Sequence, residues 1–86
     1  MKVTKNTSIW DIHHYTYMKN VLITFKNGKK KKYFILDTDS LDDDPPNGKE
    51  NIVYMTSHDK DPYGEDRYAG NCIPIDEISE IQVVED

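Results

Sequence analysis

The amino-acid sequence predicts a mainly β protein: a single small, strongly bent, five-stranded antiparallel sheet or barrel with a short N-terminal helix or arm. Three observations lead to this prediction. Apolar and polar residues alternate with the period of a strand over several short stretches. Asn27-Gly28, between two such stretches, is a strong β-hairpin signal. With 86 residues, the chain has room for one small core and not for two.

Residues 1–19 are predicted to form an N-terminal arm or short helix, ahead of a β domain at residues 20–86. A helix that begins after Thr7 or Ser8 is supported by the preference of small hydroxyl side chains for the N-cap position. The stretch Trp10–Tyr17 also alternates as a strand does, so a helical and an extended conformation both stay open.

The first hairpin is the clearest local signal. Asn20–Lys26 alternates with its apolar residues on one side, and a second strand follows the turn as far as Leu36. A two-residue type I′ loop at Asn27-Gly28 places Val21 opposite Phe34. Lysines then occupy both faces of the ribbon near its tip.

The remaining elements follow from the spacing of turn residues. Pro45-Pro46 removes two hydrogen-bond donors and therefore excludes helix or sheet at that point. We expect a long acidic loop at residues 39–50, a polar loop at 58–66, strands at 51–57, about 67–73 and 81–84, and a one-turn helix at 74–78.

This order of elements resembles the Sm-like and SH3-like small β-barrels, among them short proteins of bacteria or their mobile elements. The resemblance covers residues 20–86 and rests on the Asn27-Gly28 hairpin, the long loop, and the one-turn helix before the last strand. It implies a fold and not a ligand. At the positions where Sm-like proteins bind RNA, this chain departs from the pattern. Asp37-Thr-Asp is not followed by the expected Asn, and Gly70-Asn71 is found in place of Arg-Gly. No RNA or proline-peptide site is therefore carried over.

Charge is divided unevenly along the chain, whose net charge is -5. Residues 1–36 carry eight lysines and one acid, whereas residues 37–86 carry three basic residues and fifteen acids. The folded domain either presents two oppositely charged regions or folds one half onto the other and neutralises both.

Several function classes find no support in the sequence. It has no apolar run long enough to span a membrane and no signal-peptide pattern, so we expect a soluble cytoplasmic protein without membrane contact. The single cysteine, Cys72, is predicted to be a small core residue. Nucleophile and phosphate-loop motifs are missing. We predict that the protein is not an enzyme and needs no cofactor.

Metal binding is not predicted either. A calcium loop that begins at Asp37 has Leu41 at its fifth position, and one that begins at Asp59 has Tyr63 there. The histidines and Cys72 lack the spacing of a zinc site.

Two binding hypotheses remain. In the first, the acidic loops form one anionic surface that docks on a basic protein, such as an enzyme that handles nucleic acid, because carboxylates can stand in for phosphates. Small acidic inhibitor proteins of phages and mobile elements are similar in size and charge. The surface comprises Asp39, Asp42, Asp43, Asp44, Glu50, Asp59, Asp61, Tyr63, Glu65 and Asp66, with Leu41 and Tyr68 as further apolar anchors and Glu77, Glu80, Glu85 and Asp86 as additional acids.

In the second hypothesis, the lysine-rich hairpin binds the phosphates of a nucleic acid, with copies of the chain assembled as in Sm-like rings. Its residues are Lys26, Lys29, Lys30, Lys31 and Lys32, beside Tyr33. Each charged group also has a simpler interpretation: the acids keep a small protein soluble, and the lysines prevent strands from pairing edge to edge.

Overall fold

The computed structural model describes residues 1–84, so Glu85 and Asp86 lie outside the described residues. Five strands within residues 1–84 form one open antiparallel sheet in the order β4-β3-β2-β1-β5. Its outer strands, β4 and β5, do not pair with each other. The predicted five-stranded antiparallel sheet with an N-terminal helix is confirmed. Its elements are α1 (Ile9–Thr16), β1 (Asn20–Phe25), β2 (Lys30–Asp39), β3 (Asn51–Lys60), β4 (Asp66–Pro74) and β5 (Ile78–Val83).

The sheet is bent at β2, which pairs with different neighbours along its two halves. Residues 30–34 pair with β1, and residues 35–39 pair with β3. The register shifts between Ile35 and Asp37. Such a bulge bends its strand and increases the local twist. The β1–β2 and β3–β4 hairpins therefore diverge from each other beyond Ile35.

The core is made mainly of isoleucine. β-Branched side chains suit the pleated surface of a sheet because they pack well against cross-strand neighbours. Ser8 is the N-cap of α1, and its Oγ accepts from the backbone N of Trp10 at 3.1 Å. The N-terminal arm is therefore helical from Ile9 to Thr16 and not extended there. The buried apolar residues are Val3, Ile9, Ile12, Val21, Ile23, Ile35, Ile52, Ile73, Ile78 and Ile81.

The hairpin turn forms where it was predicted, but its loop has three residues rather than two. Phe25 N donates to Lys29 O at 2.8 Å, and Gly28 N donates to Phe25 O at 2.9 Å. Of the two predicted turn residues, only Gly28 has a positive φ, of 88°. This corresponds to a type I turn followed by a bulge. Val21 consequently pairs with Tyr33 instead of Phe34.

The β3–β4 hairpin is longer than predicted. A polar loop was expected at residues 58–66, yet β3 continues to Lys60 and β4 begins at Asp66. Only Ile73 is buried in β4. The radius of gyration is 13.3 Å, against about 12 Å for a compact chain of this length. The outer part of this hairpin therefore extends away from the core.

Three smaller corrections concern the second half of the chain. β2 continues past its bulge at Leu36 to Asp39, and β5 starts three residues earlier than expected, while the one-turn helix forms at Ile75–Glu77. Cys72 is exposed rather than part of the core. Ile73 faces inward, and successive strand residues face opposite sides, so Cys72 faces outward.

No helix within residues 1–84 combines the length and the apolar character that crossing a membrane requires.

Gly70 allows β4 to approach its neighbours closely. A Cβ at this position would lie 2.8 Å from Val53 Cγ1 and 3.1 Å from the carbonyl O of Tyr54. Gly70→Ala should therefore lower the free energy of unfolding by about 1–3 kcal/mol, measured by urea denaturation. The control Ser57→Ala, at an exposed position of β3, should change it by less than about 0.5 kcal/mol. Equal stability of the two variants would contradict the close packing.

Candidate functional site

The residues of the predicted acidic surface fall into two groups, one at each end of β3. We call residues 37–50, from the end of β2 to the start of β3, the acidic loop, and residues 58–67, around the β3–β4 turn, the hairpin tip. Ten residues of strand span roughly 30 Å. The screening length in physiological salt is only about 8 Å. Within one chain the two groups are therefore separate charged regions and not a single surface.

Most acids of the hairpin tip make contacts within the hairpin itself. Asp66 Oδ1 accepts from Lys60 Nζ at 3.0 Å and lies 3.4 Å from His58 Nε2. Hydrogen bonds from Lys60 first, and then from His58, lower the pKa of the Asp66 carboxyl. Asp61 accepts from two backbone N–H groups of the turn, each at 2.9 Å. Tyr63, which is 90% exposed, is the most prominent apolar side chain of the tip.

The acidic loop begins with a short ordered turn. Ser40 precedes a 3-10 turn at Leu41–Asp43 and is itself buried. Asp43 Oδ2 accepts from the backbone N of Ser40 at 2.9 Å and from its Oγ at 3.2 Å. A carboxylate that satisfies the first N–H of a turn stabilises that turn. One of the predicted surface acids is therefore also a structural cap.

The other end of the acidic loop is anchored by a buried amide. Asn51 has no exposed surface. Its side chain exchanges two hydrogen bonds with that of Asn47, at 2.8 and 3.1 Å, and donates to the carbonyl of Lys49 at 2.9 Å. Pro45, between the two ends, is also buried. The loop is thus held in one conformation, which lowers the entropy that binding would cost.

Four aspartates of the acidic loop form no ion pair within residues 1–84, although His13 lies 3.5 Å from a fifth, Asp37. The one lysine of the loop, Lys49, lies 3.3 Å from Asp76, outside the loop. Leu41, which is 60% exposed, lies between Asp39 and Asp42 in the sequence. Among the ion pairs that residues 1–84 form, none involves Asp39, Asp42, Asp43 or Asp44.

The lysines of β2 lie away from the acidic loop, whereas Lys26 lines one cavity together with Glu50. β2 begins with Lys30 and ends with Asp39, so one strand carries positive charge at one end and negative charge at the other. Within the described part of the chain, no ion pair involves Lys26 or Lys29–Lys32. Lys29–Lys32 and the aspartates of the acidic loop therefore form two oppositely charged regions, although the two halves of the chain pack together through β1 and β5.

Aromatic rings lie beside these lysines. Lys31 Nζ is 5.5 Å from the centroid of the Tyr33 ring, and the Tyr33 and Tyr54 rings are 4.6 Å apart. Burial, and secondarily the charge of Tyr54, raise the pKa of the Tyr33 hydroxyl. The hydroxyl therefore stays protonated, and the cation lies near a neutral aromatic surface.

The sequence analysis missed the residues that order the acidic loop. Ser40 and Asp43 have the Ser-x-x-acid spacing of a cap, which the run of aspartates obscured. Nothing in the sequence marked Asn51 as buried. His13 of α1 was also missed; its Nδ1 lies 2.9 Å from Thr38 Oγ1 and 3.5 Å from Asp37, at the start of the loop.

Comparison with known proteins does not place this chain in a family. No family model, curated protein or solved structure matches it. The resemblance to small Sm-like barrels therefore stays a prediction. Across residues 1–84, no group of three or more His, Cys, Asp or Glu side chains is arranged to hold a metal ion.

The amide anchor can be tested by substitution. Asn51→Ala leaves its buried partners unsatisfied, so the free energy of unfolding should fall by about 1–3 kcal/mol. Hydrogen exchange should accelerate at residues 41–48. The control Asn6→Ala removes an amide from an exposed position and should leave both measurements unchanged. Unchanged exchange in Asn51→Ala would show that the amide does not order the loop.

The pKa of the Cys72 thiol depends on the nearby carboxylate of Asp39. Its Sγ lies 3.7 Å from Asp39 Oδ2. Partial burial first, and then the neighbouring carboxylate, raise the pKa of the Cys72 thiol. The thiolate is the reactive species, so Asp39→Asn should lower this pKa and speed reaction with a disulfide reagent at mildly alkaline pH. Asp42→Asn is the matched control and should not change the rate. An equal rate in both variants contradicts the contact.

Proposed function

We propose that this protein is a non-catalytic binding protein whose acidic loop docks on a basic protein partner. One observation carries the proposal: Asp39, Asp42 and Asp44 lie on either side of the exposed Leu41 in a loop that is fixed at both ends, and they form no ion pair within residues 1–84. Long-range attraction speeds the encounter with an oppositely charged surface. The exposed apolar side chain of Leu41, between the carboxylates, supplies contact that charge alone does not.

The charge density of the loop favours a partner that normally holds nucleic acid. Asp42, Asp43 and Asp44 are consecutive, and their Cα atoms are about 3.8 Å apart along the chain. A DNA strand carries one phosphate per roughly 3.4 Å of helix axis. The Asp43 carboxylate caps the turn, so Asp39, Asp42 and Asp44 are the groups that a phosphate-binding cationic groove would attract. An inhibitor of a nucleic-acid-handling enzyme, as phages and mobile elements produce, is the specific role that we infer.

A second candidate is direct binding of single-stranded nucleic acid by the lysine-rich hairpin. The position of Lys31 near Tyr33 favours it, because cationic and aromatic groups together bind backbone and bases. The net charge of -5 disfavours it, because the rest of the molecule repels a polyanion.

Two labelled probes, an oligolysine peptide and an oligouridine RNA, distinguish these candidates by fluorescence anisotropy. The triple variant Asp39→Asn, Asp42→Asn and Asp44→Asn keeps the structural cap at Asp43. If each exposed contact is worth about 0.5 kcal/mol, this variant should bind oligolysine about tenfold more weakly than the unchanged protein.

The matched control is Lys29→Gln, Lys30→Gln and Lys31→Gln, which also removes three charges. It should bind oligolysine at least as well as the unchanged protein, because it loses only repulsive groups. Thermal melts of both variants verify that they fold. Equal oligolysine affinity in the aspartate variant contradicts the proposal, whereas RNA binding that only the lysine variant loses supports the second candidate.

A further inference from the structure

The two outer strands of the sheet differ in how their edges are covered. Residues 1–3 run antiparallel along the outer edge of β5. Val3 N donates to Ser79 O at 2.9 Å, and Ile81 N donates to Met1 O at 2.8 Å. Backbone groups in the middle of β5 are thus already paired. This edge is not available to a strand of another molecule.

The outer edge of β4 is open by comparison. Within residues 1–84, β4 pairs only with β3. Every residue from Asp66 to Cys72 is exposed. The extra residue of the β3–β4 bulge is Thr56, on β3, so β4 itself continues without interruption. An unpaired regular edge offers its backbone N–H and C=O groups to another chain.

The usual protection against edge pairing is confined to the ends of β4. Charged residues occur only at Asp66 and Arg67, and proline only at Pro74. Between them lies the uncharged stretch Tyr68–Ile73, in which Tyr68 is 45% exposed. The middle of this edge therefore has neither the charge nor the proline that keeps edge strands apart.

We propose that β4 pairs antiparallel with β4 of a second copy of this chain, forming a two-fold dimer. Head-to-tail pairing of β4 with β5 is blocked because residues 1–3 cover β5. An interface that uses the same edge on both molecules is closed by a two-fold axis, which is the commonest arrangement of homodimers. Such a dimer differs from the ring assembly that the Sm-like resemblance implied.

The register with the two-fold axis at Gly70 pairs all nine residues of β4. It sets Asp66 of one copy opposite Pro74 of the other, and Arg67 opposite Ile73, so no charged residue faces a like charge. A register centred on Arg67 would oppose two guanidinium groups. In the Gly70 register, Tyr68 of one copy lies opposite Cys72 of the other, on the same face of the paired strands.

This dimer would also bring the two acidic groups, which β3 separates in one chain, closer to each other. Asp39, Asn51 and Pro74 lie side by side on β2, β3 and β4, and Asp66 of the second copy continues the row. Asp39 and that Asp66 are then three strand spacings, about 14 Å, apart. This exceeds the screening length of about 8 Å, so their repulsion is weak. The two groups therefore remain electrostatically separate in the dimer, and the dimer does not rest on the proposed function.

Sedimentation velocity over a range of protein concentrations tests the dimer. The unchanged protein should approach about twice the 10.0 kDa mass of one chain. In the Gly70 register, Ala69 of one copy faces Asn71 of the other. Ala69→Lys with Asn71→Lys opposes two pairs of like charges and should give a monomer, whereas Ala69→Lys with Asn71→Glu opposes unlike charges and should restore the dimer. A monomeric unchanged protein overturns the proposal, as does identical behaviour of the two variants.

A disulfide tests the register independently. Tyr68→Cys places a thiol opposite the natural Cys72 of the other copy, so mild oxidation should give a covalent dimer on a non-reducing gel. Ala69→Cys, on the opposite face, should not. Crosslinking of both variants alike would contradict the Gly70 register. Because these experiments do not involve a ligand, a dimer that forms without binding oligolysine would refute the proposed function alone.

Discussion

The divided pairing of β2 is the constraint on which the rest of the structure depends. Its first half pairs with β1 and its second half with β3. The bulge at Leu36 lies where the partner changes, and the Leu36 side chain reaches the space that Gly70 leaves open, 3.3 Å from where a Cβ would stand. The bend separates the two hairpins, so the lysines at one end of β2 and the acids at the other end remain far apart.

The acidic loop is more than a solvated connection. Its first turn is capped by one of its own carboxylates, and its end is held by the buried amide of Asn51, which bonds to the exposed Asn47. A flexible loop with this charge would spread its carboxylates to reduce their repulsion. Here the repulsion is offset by buried hydrogen bonds, which are worth more away from water because the local dielectric is low. The charge is thereby kept in a fixed arrangement beside Leu41, and the position of that arrangement is set by the sheet.

The extent of successful prediction differs between elements for identifiable reasons. The Asn27-Gly28 turn was found because its signal is local, but the loop length was wrong because Asn27 instead uses its side chain to accept from Lys29 N at 3.0 Å. That one-residue difference moves Tyr33 onto the core face in place of Phe34. The polar stretch from His58 to Asp66 was interpreted as a loop because Pro62 and Gly64 interrupt it. Its outer strand pairs are instead held by cross-strand contacts such as Lys60 with Asp66, which sequence alternation does not reveal.

By itself, the sequence determined the fold class, the five strands and the uneven division of charge, because these depend on neighbouring residues and on the period of side chains along one element. Only the tertiary structure decided that the two acidic groups lie at opposite ends of β3, that the lysines do not neutralise them, and that β4 rather than β5 has an open edge. Each of these depends on which strands meet and where a bulge interrupts them. Those outcomes come from contacts between residues far apart in the chain, and no local pattern encodes them.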